Sequence, residues 1–109
     1  MDIYDLVESA HKTAVEKGWW DEPRTPGELI ALCHSELSEA LEEARKDGVA
    51  VAMWRIDGSK PEGFGVELAD CVIRIADICG QYHIDLSDMI ERKMAYNSTR
   101  PHRHGGKRL

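Results

Sequence analysis

Residues 62–83 form a run with apolar side chains on almost every side. Val66, Leu68, Ala69, Cys71, Val72, Ile73, Ile75, Ala76, Ile78 and Cys79 surround it when the run is wound at helical pitch. One narrow polar strip interrupts them: Glu67, Asp70, Arg74, Asp77 and Gln81 recur at intervals of three and four. A helix with no broad face to offer to water belongs at the centre of a helical protein. Bare charge on such a rod is costly unless it is paired or bound to a cation. Pairing of Arg74 with Asp70 or Asp77 explains part of the strip. It explains Glu67 poorly.

The rest of the chain predicts three further helices and no strand. Ile3, Leu6, Val7, Ala10, Ala14 and Val15 follow helical spacing from Asp2 to Lys17, and Gly18 ends that run. Thr25-Pro26-Gly27-Glu28 reads as a capping box with proline at the first helical position. The helix it opens runs to about Lys46, with Asp47-Gly48 as its stop. Leu29, Ile30, Cys33, Leu37, Ala40, Leu41 and Ala44 fall in one arc of it. Glu36, Glu39 and Glu43 sit at one border of that arc, where a carboxylate is partly buried and still hydrated. Residues 49–54 are short and apolar, extending a helix or forming a covering loop, and Trp54 reads as core or pocket wall. Asp57-Gly58 signals a turn, and Ser59-Lys60-Pro61-Glu62 a second capping box. Asp85 caps the last helix, with Asp88 three residues on, and Pro101 stops it. Residues 101–109 read as a basic, flexible tail.

A chain of 109 residues suggests one domain. Its net charge of −6 is uneven: no acidic residue follows Glu91, whereas Arg92, Lys93, Arg100, Arg103, Lys107 and Arg108 do. The acidic body disfavours duplex nucleic acid. No run is long enough to span a membrane, and the acidic start lacks a signal-peptide pattern, so the expected location is cytoplasmic. Cys33, Cys71 and Cys79 form no metal-binding pair and read as small buried apolar residues.

Two phrases carry the chemistry: Glu36-Leu-Ser-Glu39 and Glu67-Leu-Ala-Asp70. Positions three apart on a helix share a face, so each phrase presents two carboxylates side by side. If the two helices pack with those faces together, four carboxylates converge and require a cation or shared protons. A di-iron site needs histidine as the second member of such a phrase, and an EF-hand needs ligands on a loop. Magnesium or manganese, completed by substrate phosphate oxygens, remains. No glycine-rich phosphate loop is present.

The paired phrases resemble the signature of the all-α nucleoside triphosphate pyrophosphohydrolases, the MazG-like family. The resemblance extends through Trp20-Asp21-Glu22-Pro23-Arg24-Thr25-Pro26, through Lys60-Pro61-Glu62-Gly63, and through Lys93-Met94-Ala95-Tyr96-Asn97 with Arg100-Pro101. It implies a four-helix bundle assembled as a homodimer or a dimer of dimers. It also implies Mg²⁺-dependent cleavage of an NTP or dNTP between the α- and β-phosphates. Glu36, Glu39, Glu67 and Asp70 correspond to its metal ligands, and one of the glutamates to a group that orients or deprotonates water. Trp20 corresponds to a base-packing residue, Arg24 to a polar neighbour of the nucleotide, and Lys93 and Asn97 to phosphate-holding positions. Arg74 stands where some relatives place a sugar-contacting tyrosine. From the residues alone, a non-catalytic helical interaction module and a nucleotide sensor stay open as alternatives.

Overall fold

A computed structural model of the protein describes residues 1–47 and 53–108. The expected stop at Gly48 and residues 49–52 lie outside them. Four substantial helices carry the chain: α1 (Ile3–Glu16), α2 (Pro26–Asp47), α3 (Phe64–Gln81) and α4 (Leu86–Ser98). Local chemistry places their ends. Asp2 and Asp5 form a reciprocal capping box at the start of α1. Thr25 Oγ1 accepts from the Glu28 amide ahead of α2, and Asp85 Oδ1 from the Asp88 amide ahead of α4.

The stretch between the acidic helices contains a hairpin. β1 (Arg55–Asp57) pairs antiparallel with β2 (Lys60–Glu62), joined through Gly58 and Ser59. This corrects two expectations, the absence of strands and a capping box at residues 59–62. Three-residue strands are too short to show a periodicity of two, and Pro61 is tolerated because each strand has a free edge. Gly63, at φ +132°, turns the chain out of β2 and into α3. Residues 101–109, expected as a tail, include one helical turn, α5 (Arg103–Gly106).

α3 is central, as its sequence demands, with α2 on one flank and α1 on the other. The packing residues are small. Ala10, Cys33, Ala40, Cys71, Ala76 and Cys79 are buried, and the Cys71 thiol donates to the Cys33 carbonyl at 3.7 Å. All three cysteines are free, and burial pushes the thiols of Cys33 and Cys79 up. At the α1–α3 crossing, a Cβ on Gly80 would meet His11 Cβ at 2.5 Å, so only glycine fits. Two ion pairs fasten the hairpin: Arg55 grips Glu43 of α2 through two bonds, 2.6 and 3.0 Å, and reaches Glu62 at 3.2 Å.

Further departures concern exposure. α4 touches α1 and buries none of its own residues, so a single chain forms three packed helices with a fourth at the edge. α3 is not covered all round either: Leu68, Val72 and Ile75 stay open on one side. The arc of α2 is also displaced. Its buried face centres on Leu29, Cys33, Glu36, Ala40 and Glu43, while Ile30, Leu37 and Leu41 are about half exposed. Glu36 and Glu43 are therefore buried rather than marginal, and Trp54, expected in the core, is 64% exposed. Among the described residues no helix is long and apolar enough to cross a membrane.

Candidate metal centre

The small residues between α2 and α3 bring the acidic phrases together. Glu36, Glu67 and Asp70 each place a carboxylate oxygen within 4.8 Å of the others, with Glu36 and Glu67 buried. Glu39, one turn along α2, is exposed and bears on Glu67 from the flank. Opposite oxygens around a hard divalent cation lie about 4–5 Å apart. The three-carboxylate group therefore spans one coordination sphere. Its donors are all oxygen, the class that magnesium and manganese take.

The electrostatics describe a group in need of positive charge. Burial, then the contact and charge of Glu39, then the charges of Asp70 and Glu36, push the Glu67 carboxyl up to about 7. Burial and the Glu36 charge also raise Asp70, opposed by Arg74 and Lys60. Arg74 donates from Nε to Glu36 Oε1 at 2.7 Å. This replaces the expected pairing of Arg74 with Asp70 or Asp77. The cross-helix partner wins because Glu36 projects from α2 across the shared face, where its charge has little water to screen it. Glu43, also acidic and buried, is not left over: Arg55 holds its carboxyl below the usual range.

The carboxylates form a wall between two cavities. A cavity of about 520 Å³ is lined by Glu36 and Asp70 together with Trp19, Trp20, Arg24 and Arg74. A second, of about 400 Å³, is lined by Glu39 and Glu67 with Ser35, Ser38, Lys46 and Lys60. The first is largely aromatic and aliphatic; the second is polar and carries two lysines. In the first, the guanidiniums of Arg24 and Arg74 lie 5.1 and 5.3 Å from the centre of the Trp19 ring. Arg24 also donates from Nε to the Trp19 carbonyl at 2.7 Å, closing the loop before α2. The Trp20 indole is fixed differently, donating from Nε1 to Asp77 Oδ1 at 2.9 Å.

The nine anticipated site positions thus separate by location. Glu36, Asp70, Trp20, Arg24 and Arg74 meet around the first cavity, while Glu67 and Glu39 line the second. Lys93 and Asn97 do not join them within one chain. Lys93 lies 4.9 Å from the Tyr96 ring, and the Asn97 Oδ1 is buried without a hydrogen-bond partner. The residues not anticipated for the site are His11, Lys46, Arg55 and Lys60. Arg55 and Lys60 come from the hairpin, whose pairing no local pattern announces. Comparison of the chain with models of protein families, with curated proteins and with solved structures finds no match.

Proposed function

We propose that this chain is a Mg²⁺-dependent nucleotide pyrophosphohydrolase of the MazG-like kind, with Mn²⁺ an alternative ion. It cleaves an NTP or dNTP between the α- and β-phosphates to the monophosphate and pyrophosphate. The observation that carries the reading is the convergence of Glu36, Glu67 and Asp70, flanked by Glu39, between an aromatic cavity and a lysine-bearing one. The aromatic cavity suits a base and sugar, and the lysine side suits the departing phosphates.

Glu36, Glu67 and Asp70 hold the ion. When bound, it neutralises phosphate charge and lowers the pKa of coordinated water. Glu39, the accessible member of the set, takes the proton of the attacking water. The water oxygen bonds to the α-phosphorus, the bond to the bridging oxygen breaks, and pyrophosphate leaves with its electron pair. Lys46 and Lys60 stand beside the leaving group.

Assembly belongs to the same reading, as a homodimer or homotetramer. The Cα radius of gyration is 16.3 Å. A compact chain of this length has about 13 Å. Ile30, Leu37 and Leu41 on α2, and Leu68, Val72 and Ile75 on α3, are open apolar stripes of the kind a second copy covers.

The test is pyrophosphate release from each NTP and dNTP with Mg²⁺ or Mn²⁺. Glu39→Gln and Asp70→Asn are expected to abolish turnover with the helical circular dichroism unchanged. Full activity in both variants, or no release from any nucleotide with either ion, refutes the assignment. Calorimetric nucleotide binding without product selects a sensing role instead.

A further inference from the structure

The aromatic cavity holds one acid that the ion site does not use. Asp77 lies on α3 two turns beyond Asp70 and lines the same cavity, with its side chain 16% exposed. Its Oδ1 accepts from Trp20 Nε1 at 2.9 Å and lies 2.9 Å from His11 Nδ1. A carboxylate can only accept, so the imidazole donates from Nδ1. Two donors from two other segments, α1 and the loop after it, lock that oxygen in place. Among the described residues nothing donates to Oδ2. With Oδ1 taken, Oδ2 is the acceptor left for whatever enters the cavity.

We propose that Asp77 reads the base, favouring nucleotides whose base presents an exocyclic amino group over their keto counterparts. The inference rests on the pyrophosphohydrolase reading for the identity of the ligand. A cytosine or adenine amino group donates to Oδ2. Uracil or hypoxanthine brings a carbonyl oxygen to the same place, so two acceptors face each other and a poorly hydrated charge loses its partner. Neither guanidinium of the cavity is bonded to Asp77, so neither takes up Oδ2. Arg24 is tied to the Trp19 carbonyl and Arg74 to Glu36, and both lie against the Trp19 ring. A role confined to holding Trp20 needs only one acceptor oxygen; an amide would serve. The carboxylate adds a charge, which also strengthens the bonds from His11 and Trp20, and a second acceptor, which is left for a donor in the cavity.

The test compares two base pairs that exchange an amino group for a keto group. Binding of the non-hydrolysable α,β-imido analogues of dCTP, dUTP, dATP and dITP is measured by calorimetry with Mg²⁺, beside hydrolysis of the parent nucleotides. Cytosine over uracil, and adenine over hypoxanthine, are each expected to bind about tenfold tighter or better. In Asp77→Asn the amide oxygen keeps Trp20 and the amide nitrogen replaces Oδ2, turning the acceptor into a donor. The preference is then expected to vanish or reverse. A purely structural Asp77 weakens both members of each pair equally and leaves the ratio unchanged. Equal binding within both pairs by the unaltered protein overturns the inference, as does an unchanged ratio in a folded Asp77→Asn. Turnover without base preference overturns this inference alone. Base preference without turnover upholds it and overturns hydrolysis, and absence of binding overturns both.

Discussion

Stripping divalent ions and raising the pH from about 5 to about 8 is expected to weaken the fold, and Glu67 is the main reason. In the folded chain its carboxyl is pushed from 4.5 up to about 7. The folded value lies above the unfolded one, so the native state keeps this proton longer. The associated stability is complete below 4.5 and is lost as the pH rises through about 7. That gap corresponds to roughly 3 kcal/mol, or roughly 10–20 °C in Tm for a domain of this size. Asp70 is displaced in the same direction and adds to the effect. The other displaced groups act elsewhere: Glu43 below 4.5, and the thiols of Cys33 and Cys79 above 9.0. Urea titrations followed by circular dichroism, in EDTA and in Mg²⁺, measure it. In EDTA the unaltered protein loses stability across the window. In Mg²⁺ most of the loss is expected to disappear, because the proposed ion would bind the ionised group. Glu67→Gln in EDTA loses most of the pH dependence and exceeds the unaltered protein at about pH 8. Identical pH profiles for Glu67→Gln and the unaltered protein in EDTA refute the reasoning.

Three further outcomes are expected. Gly80→Ala places a methyl 2.5 Å from His11 Cβ; the α1–α3 crossing opens at a cost of about 1–3 kcal/mol, read as a fall in Tm. Arg55→Ala releases Glu43 and Glu62, lowering the urea midpoint near neutral pH. Since Arg55 holds Glu43 below 4.5, this deficit is full above 4.5 and fades as the pH falls through the folded value. Leu41→Glu puts charge on an exposed stripe of α2; the helical signal is retained while the mass in analytical ultracentrifugation falls, and an unchanged mass refutes assembly through that face.

The starts of α2 and α4 were legible because they rest on local chemistry. Thr25 and Asp85 accept from amides three residues ahead, a bond that spacing reveals, whereas α3 opens at Gly63 with no side-chain cap. The convergence of Glu36, Glu67 and Asp70 was legible because the polar strip on α3 had to face something. The choice of partners was not. Arg74 shares a helix face with both Asp70, four residues before it, and Asp77, three after, and only the placement of α2 brings Glu36 to it. Asp77 then finds His11 and Trp20, distant in sequence and brought together by the glycine-permitted crossing of α1 and α3. The hairpin escaped because three residues per strand carry no period, and Arg55, which anchors it, has both carboxylate partners outside its own strand. The open stripes of α2 and α3 escaped because periodicity says which residues are apolar, not whether another part of the same chain covers them.

The thiols between α2 and α3 act as a gauge block. Cys33 and Cys71 set the separation of the two rods, and Glu36 and Glu67 lie within a turn of them. A bulkier pair in those positions would widen the gap without touching any ligand, and the oxygens would then stand too far apart to grip the same cation. On the proposed reading, ion affinity would therefore be tuned partly by the girth of side chains that never meet the ion.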